Sequence, residues 1–368
     1  MNEIYLPPQN ITSLKSHLFN YENDKNVKSV LFFMADEQHY NESELNPILN
    51  KISKPIIGGI FPEIIFKGNR QFTGVLLIPL QFELNTQLIK LSNSAESILK
   101  QLKTTQQNSI DSSSSLFVFY DALSDNKSRF IENLFNFFGV NPTYIGGGAG
   151  SLSFNSFPCI INNYGLHKNA AVIGWTSNKI AIGAAHGWES ISTPLKVTKT
   201  FKNEIIDINW KPAFETYKEI VELHSNKKFN NTNFFKIAKS YPLGISKIDA
   251  EKVVRDPYKT FKNKLYLIDI IHEGEYIEIM NGNTKSLLQS ALTATEKAFS
   301  NSDKSQIKTS FCLDCISRAL YMQDSFDMEL NVVEKKAPTS GILSIGEIAN
   351  SGESVLEIFN KTIVIAIW

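Results

Sequence analysis

The apolar residues of this chain come in short blocks. Leu116–Tyr120 (LFVFY) and Ile363–Ile367 (IVIAI) are among the longest, and blocks of this length make buried strands but cannot cross a bilayer. A chain patterned this way must build sheets and cover them with helices. Strand patterns fall at Ser29–Met34, Pro55–Ile60, Phe72–Leu80, Leu116–Tyr120, Ala170–Thr176, Lys179–Ala185 and Leu195–Phe201, with Asn178 placed at a hairpin turn. Helical spacing appears at Asn41–Ile52, Ala95–Gln106, Lys127–Phe138 and Pro212–Leu223. Further on, strands at Lys264–Ile271 and Tyr276–Met280 flank a turn at Glu273–Gly274, and a helix follows over Lys285–Ser300. A strand at Ile307–Cys312, a helix through Ser317–Met328, and strands at Ile342–Ile348 and Thr362–Trp368 close the pattern. Few long repeats are visible.

A chain of 368 residues is long enough for two domains. The polar stretch Ser225–Asn233 marks the join, between residues 222 and 240, with a separate sheet expected on each side. The class is α+β: two mixed, largely antiparallel sheet domains packed with helices. Lys plus Arg (37) equals Asp plus Glu (37), so no basic field draws a phosphate backbone and nucleic acid is not an expected partner. The N-terminus lacks a basic region followed by an apolar one, and the three cysteines form no even disulfide set. A cytoplasmic protein that does not enter a membrane is expected, with Cys312 and Cys315 unbridged.

Three features invite chemistry. Gly146–Gly148 with Gly150 reads G-G-G-A-G, but the third glycine of a dinucleotide fingerprint is missing and no helix opens after it. These glycines fit close backbone approach at a strand end. His186–Gly187–Trp188 could offer a polar anchor, yet His17, His39, His167, His224 and His272 are scattered, so neither a metal site nor a cofactor is expected. Cys312-Leu-Asp-Cys315 precedes a helical pattern, where Arg318 one turn on could lower the Cys315 pKa; a buried structural thiol is the alternative.

Taken in order, PIIGGIFPEI (Pro55–Ile64), YIGGGAG (Tyr144–Gly150), IAIGAAHGWESISTPLKVTK (Ile180–Lys199) and WKPAFETYKEI (Trp210–Ile220) resemble segments of the FIST family. So do YPLGI (Tyr241–Ile245), VVRDP (Val253–Pro257), EGEYIEIM (Glu273–Met280), FCLDCISR (Phe311–Arg318), GILSIGEIA (Gly341–Ala349) and FNKTIVIAI (Phe359–Ile367). The resemblance implies a FIST N-terminal domain over residues 28–226 and a FIST C-terminal domain over 227–368. It implies a sensory module that binds a small molecule, such as an amino acid, without turnover. With the match running from residue 28 to the last residue, signalling output is expected from a separate partner protein. Gly147, Gly148, His186, Trp188, Arg255, Cys315, Arg318 and Glu347 are the candidate ligand-binding positions, gathered in an interdomain cleft. An arginine would grip a carboxylate and a glutamate an ammonium, unless Arg318 and Glu347 pair with each other. Two other functions compete: a hydrolytic or thiol-redox enzyme using Cys315, and a haem-based gas sensor using His186.

Overall fold

The computed structural model describes residues 2–8, 11–37, 40–91, 94–104, 110, 113–246, 252–302, 310–350 and 355–368. One run of elements recurs three times along it: strand, helix, strand, helix, strand, hairpin, strand. The first unit is β1 (Ile4–Leu6), α1 (Ile11–Asn23), β2 (Ser29–Ala35), α2 (Glu42–Leu49), β3 (Ile56–Phe61), the hairpin β4 (Glu63–Phe66) and β5 (Asn69–Gln71), then β6 (Val75–Leu80). The second is β7 (Asn85–Lys90), α3 (Ala95–Leu102), β8 (Ser115–Asp121), α4 (Lys127–Phe138), β9 (Thr143–Ala149), β10 (Ile160–Asn162), β11 (Gly165–His167) and β12 (Ala170–Thr176).

The third unit opens with β13 (Ala181–Ala185) and is at once interrupted by a domain of its own. That insert holds β14 (Glu189–Ser190), β15 (Leu195–Phe201), β16 (Glu204–Ile208), β17 (Lys211–Pro212), α5 (Ala213–Ser225) and α6 (Phe234–Ala238). It continues with β18 (Leu243–Ile245), β19 (Val253–Arg255), β20 (Pro257–Phe261), β21 (Lys264–Leu267) and β22 (Tyr276–Asn281). The unit then resumes with α7 (Thr284–Ser300), β23 (Ser310–Cys315), α8 (Ile316–Met322), α9 (Phe326–Glu334), β24 (Thr339–Ser344), β25 (Glu347–Asn350), β26 (Ile358–Phe359) and β27 (Ile363–Ile367).

Each unit nucleates a six-stranded sheet on one plan. The orders are β1-β6-β2-β3-β10-β11, β7-β12-β8-β9-β25-β26 and β13-β27-β23-β24-β4-β5. The central pair in each, β2–β3, β8–β9 or β23–β24, is parallel and joined through crossover helices, and the flanking pairs are antiparallel. Every hairpin leaves its own sheet to extend another: β4–β5 joins the third, β10–β11 the first, and β25–β26 the second. The exchange closes a ring.

A glycine marks the same register point in each parallel pair. Gly58 stands opposite Phe32, Gly146 opposite Val118 and Gly341 opposite Cys312. A Cβ at any of them would collide with the carbonyl oxygen of that facing residue, so the close approach is open only to glycine. Around the shared centre, Phe33 meets Phe61 and Phe119 edge-on at 5.7 and 5.2 Å and stacks on Phe311 at 5.3 Å, joining all three units in one aromatic core. The insert keeps its own core, including Val197, Ile205, Tyr217, Leu265 and Ile279, beneath the sheet β19-β18-β22-β15-β16-β21-β20.

The α+β class stands, and several local expectations change. Sheets do not divide at the polar stretch: three of the four formed by the described residues combine strands from both sides of it, because hairpin exchange and the late return of β27 beside β13 outweigh chain proximity. The pattern around Asn178 is no hairpin. β12 pairs with β7 and β8, whereas β13 pairs with β27, and the Ile180 N–H between them is held by Ser115 Oγ at 2.9 Å. Nor do β21 and β22 pair across Glu273–Gly274; β15 and β16 lie between them. Ile342–Ile348 is two strands in two sheets, bent at Gly346, whose φ of +91° suits glycine. The helix expected over Ser317–Met328 breaks at Gln323, which has a φ of +50°. The repeat itself was missed, since matching positions such as Phe32, Val118 and Cys312 share burial rather than identity. Parts of the Ala95–Gln106 and Ile307–Cys312 expectations lie outside the described residues. Among those described, no helix is long and apolar enough to cross a membrane.

Candidate functional site

Where the insert meets the three-unit body there is a cavity of about 300 Å³. The body supplies Leu152 and Phe154 from the loop after β9, Cys315, Ile316, Ser317 and Leu320 from the β23–α8 junction, the Ile345–Gly346 corner, and Asn360. The insert supplies Phe235, Asp256, Tyr258 and Ile268. Four of these apolar side chains are unusually exposed for their size: Phe154 at 54%, Phe235 at 44%, Leu152 at 39% and Tyr258 at 37%. Exposed apolar residues gathered around a concavity from two bodies mark a binding site more than a random surface does.

Polar groups at the cavity are few. Cys315 ends β23, and the backbone N–H groups of Ser317 and Lys361 beside its sulfur favour the thiolate. Glu347 opens β25, fully buried; its Oε1 accepts from Ser344 Oγ at 2.8 Å, and the Thr362 N–H and the Cys315 thiol beside the carboxyl favour its charged form. Burial pushes the Glu347 carboxyl up to about 8, against those hydrogen bonds. Burial, and then the neighbouring Glu347 charge, likewise push the Cys315 thiol up, while the two N–H groups favour the thiolate. Arg318 was expected to lower this thiol; burial dominates instead.

Asp256 and Asn360 join the Ser317 and Tyr258 hydroxyls in the polar part of the lining. Asp256 Oδ2 meets Lys361 Nζ at 3.2 Å, and burial raises its pKa more than the lysine lowers it. Asn360 donates through Nδ2 to Asp269 Oδ2 at 2.8 Å, which fixes its amide. The Oδ1 atoms of Asp256 and Asn360 are buried without a hydrogen-bond partner among the described residues.

The positions singled out from sequence separate into groups. Cys315 lines the cavity and Glu347 sits behind it. Gly147 and Gly148 are part of its frame: Gly148 exchanges backbone hydrogen bonds with Gly346 and Ile345 at 2.8 and 2.9 Å, and a Cβ on Gly147 would lie 2.9 Å from Ser344 Cβ. Arg318 is sealed away from solvent. It forks onto Glu329 (Nε–Oε1 3.0 Å, Nη2–Oε2 2.6 Å), lies 3.3 Å from Asp314, and donates to the carbonyls of His186, Lys361 and Leu287. Its partner is therefore Glu329 rather than Glu347, and its donors are spent on the fold.

His186 Nδ1 accepts from the Trp188 N–H at 2.9 Å. Trp188 packs edge-on against Tyr321, donates through Nε1 to the Lys361 carbonyl, and lies beneath the Lys361 ammonium. Both line the Arg318 assembly, not the cavity. Arg255 faces a second, polar groove, where it donates to the carbonyls of Ile270, Val254 and Ile358. The single convergent cleft expected from the motifs is thus not formed. Sequence reading missed Asp256, Asn360 and the apolar rim; Asp256 and Asn360 lay inside quoted motifs, VVRDP and FNKTIVIAI, but nothing local aims their side chains at Cys315. All three cysteines are free and buried, and no cluster able to hold a metal occurs among the described residues.

Two family models match the chain, the FIST N domain over residues 28–211 and the FIST C domain over 213–350. The chain belongs to the FIST family. No curated protein matches it. FIST domains form a sensory and signalling family, and here the N model ends and the C model begins within the inserted domain. The cavity joins residues from both matched segments.

Proposed function

We propose that this FIST protein senses a small, largely apolar molecule that presents an N–H or O–H donor and binds in the Cys315 cavity. The observation that carries this reading is the pair of buried acceptors without a hydrogen-bond partner among the described residues, Asp256 Oδ1 and Asn360 Oδ1, on residues that line a mostly apolar chamber. A buried acceptor left unmade costs about 1–3 kcal/mol, which a donor on the ligand would recover. An amino acid offers an ammonium for this purpose, but no arginine or lysine lines the cavity among the described residues to meet its carboxylate. Alkylamines, alkyl amides and alcohols match the lining better. Because walls come from both the body and the insert, an occupant would fix their relative placement, a change that a separate signalling partner could read.

A thermal-shift screen of alkylamines, N-alkyl amides, alcohols and amino acids tests the idea, since a ligand binding only the folded state raises its melting temperature. The donor-bearing apolar compounds should give the largest shifts, and Asn360→Leu should weaken their binding about tenfold. No shift from any compound, or equal affinity in the variant, would overturn the assignment.

A further inference from the structure

The three units supply an internal control for the cysteine. Counting from the marker glycines, Cys315 in the third unit occupies the place of Asp121 in the second: each lies three residues beyond the residue facing its glycine. Asp121 sits in a cradle of two backbone N–H groups, from Leu123 at 3.0 Å and Asn169 at 2.9 Å. Cys315 has the matching two, from Ser317 and Lys361. The match extends to backbone conformation, for Asn169 and Lys361 both take left-handed φ, +48° and +53°. In the second unit this cradle holds a carboxylate, and the same amides in the third are directed at sulfur. Two N–H groups converging on one atom favour the anion there.

A second substitution sits beside it. Ile64, Ile160 and Glu347 are equivalent, each preceding the isoleucine that pairs with a marker glycine. Two units fill the position with a core isoleucine, and the third places a carboxyl next to the thiol. The cavity is lined by Cys315 together with Asp256 and Asn360, the residues that carry the unpartnered oxygens, so Cys315 borders a ligand chamber rather than closed core.

We propose that Cys315 is a nucleophile that captures an apolar α,β-unsaturated carbonyl compound bearing an N–H or O–H donor, with Glu347 as proton carrier. This rests on the cavity being the ligand site. The thiol proton passes to the Glu347 carboxylate and Sγ bonds to the β-carbon. The C=C π pair moves to the α-carbon, which takes the proton back from Glu347. One C–S and one C–H bond replace the S–H bond and the π bond, and no oxidant is required. The Asp256 and Asn360 oxygens would receive the ligand's donor and hold its alkene against sulfur.

The probes are N-hexylacrylamide and its saturated counterpart N-hexylpropanamide, applied to the full chain. Intact mass should show one acrylamide adduct per chain, and peptide mapping should place it on Cys315 and not on Cys159 or Cys312. Cys315→Ala should abolish the adduct, and N-hexylpropanamide should shift the melting temperature of the unaltered chain without forming one. Glu347→Gln should slow adduct formation roughly a hundredfold, the scale of a lost proton-transfer group. Glu347→Ile, which restores the residue of the other units, guards against a folding artefact and should slow it likewise. A thermal shift without adduct would keep the ligand site and overturn the nucleophile. Adducts spread over all three cysteines, or a rate indifferent to both Glu347 variants, would overturn it too. Absence of both adduct and shift would remove the ligand-site reading along with it.

Discussion

The first and third units share a backbone plan but not a chemistry. Where the first has Met34, Ala35 and Ile64, all buried in apolar surroundings, the third has Asp314, Cys315 and Glu347 at the equivalent register positions. The scaffold therefore accepts apolar residues there. Buried carboxyl groups cost free energy unless paired, and the third unit answers with Arg318, which binds Asp314 and Glu329 at once. At these positions the first unit is built for packing alone, and the third carries polar groups that packing does not require.

The largest expected effect comes from removing the answering charge. Arg318→Ala would leave Glu329 and Asp314 buried without their cation and should cost about 3–5 kcal/mol, read from urea unfolding. Met34→Leu at the Asp314-equivalent position should cost less than about 1.5 kcal/mol, as volume-conserving core exchanges do. Similar losses in both would erase the distinction between the units.

Glu347→Ile gives a smaller effect of opposite sign. Exchanging a buried charge for a core residue is often neutral or stabilising by about 1–4 kcal/mol, and this variant should fall in that range above pH 8. A clear loss of stability would mean that the glutamate is structural after all.

The smallest effect is a slope. Glu347 titrates near about 8 in the folded protein, above its ordinary 4.5. Its contribution to stability is therefore full below about 4.5 and fades as pH rises through about 8. One such proton gives at most about 1.4 kcal/mol per pH unit. Glu347→Gln should flatten the fall of wild-type stability across that window, measured by the urea midpoint at successive pH values. An unchanged slope would mean that Glu347 does not titrate in that window.

Much of the fold was legible locally. The apolar block at Leu116–Tyr120 lies wholly within β8, Ala170–Thr176 is β12 from end to end, and Leu195–Phe201 is β15. Such patterns work because strand period and helix spacing are properties of adjacent residues. The candidate site was legible only in part. Cys315 and Glu347 were found through their motifs, but Arg318 looked equally eligible until Glu329, eleven positions on in another helix, was seen to claim it.

By itself, the sequence determined the element types, the α+β class, the FIST resemblance and the glycines on which the tight strand approaches depend. Those follow from side-chain period, backbone permissiveness and short-range order. Only the tertiary structure decided that Ile65 pairs with Gly341 and Ile348 with Gly146, so that each unit completes another's sheet. It alone brought Asp256 and Asn360 to the chamber beside Cys315. Backbone N–H and C=O groups are the same at every residue, so a strand's own pattern says that it must pair but not with which strand. That choice is made by burying all three sheets around one core at the same time.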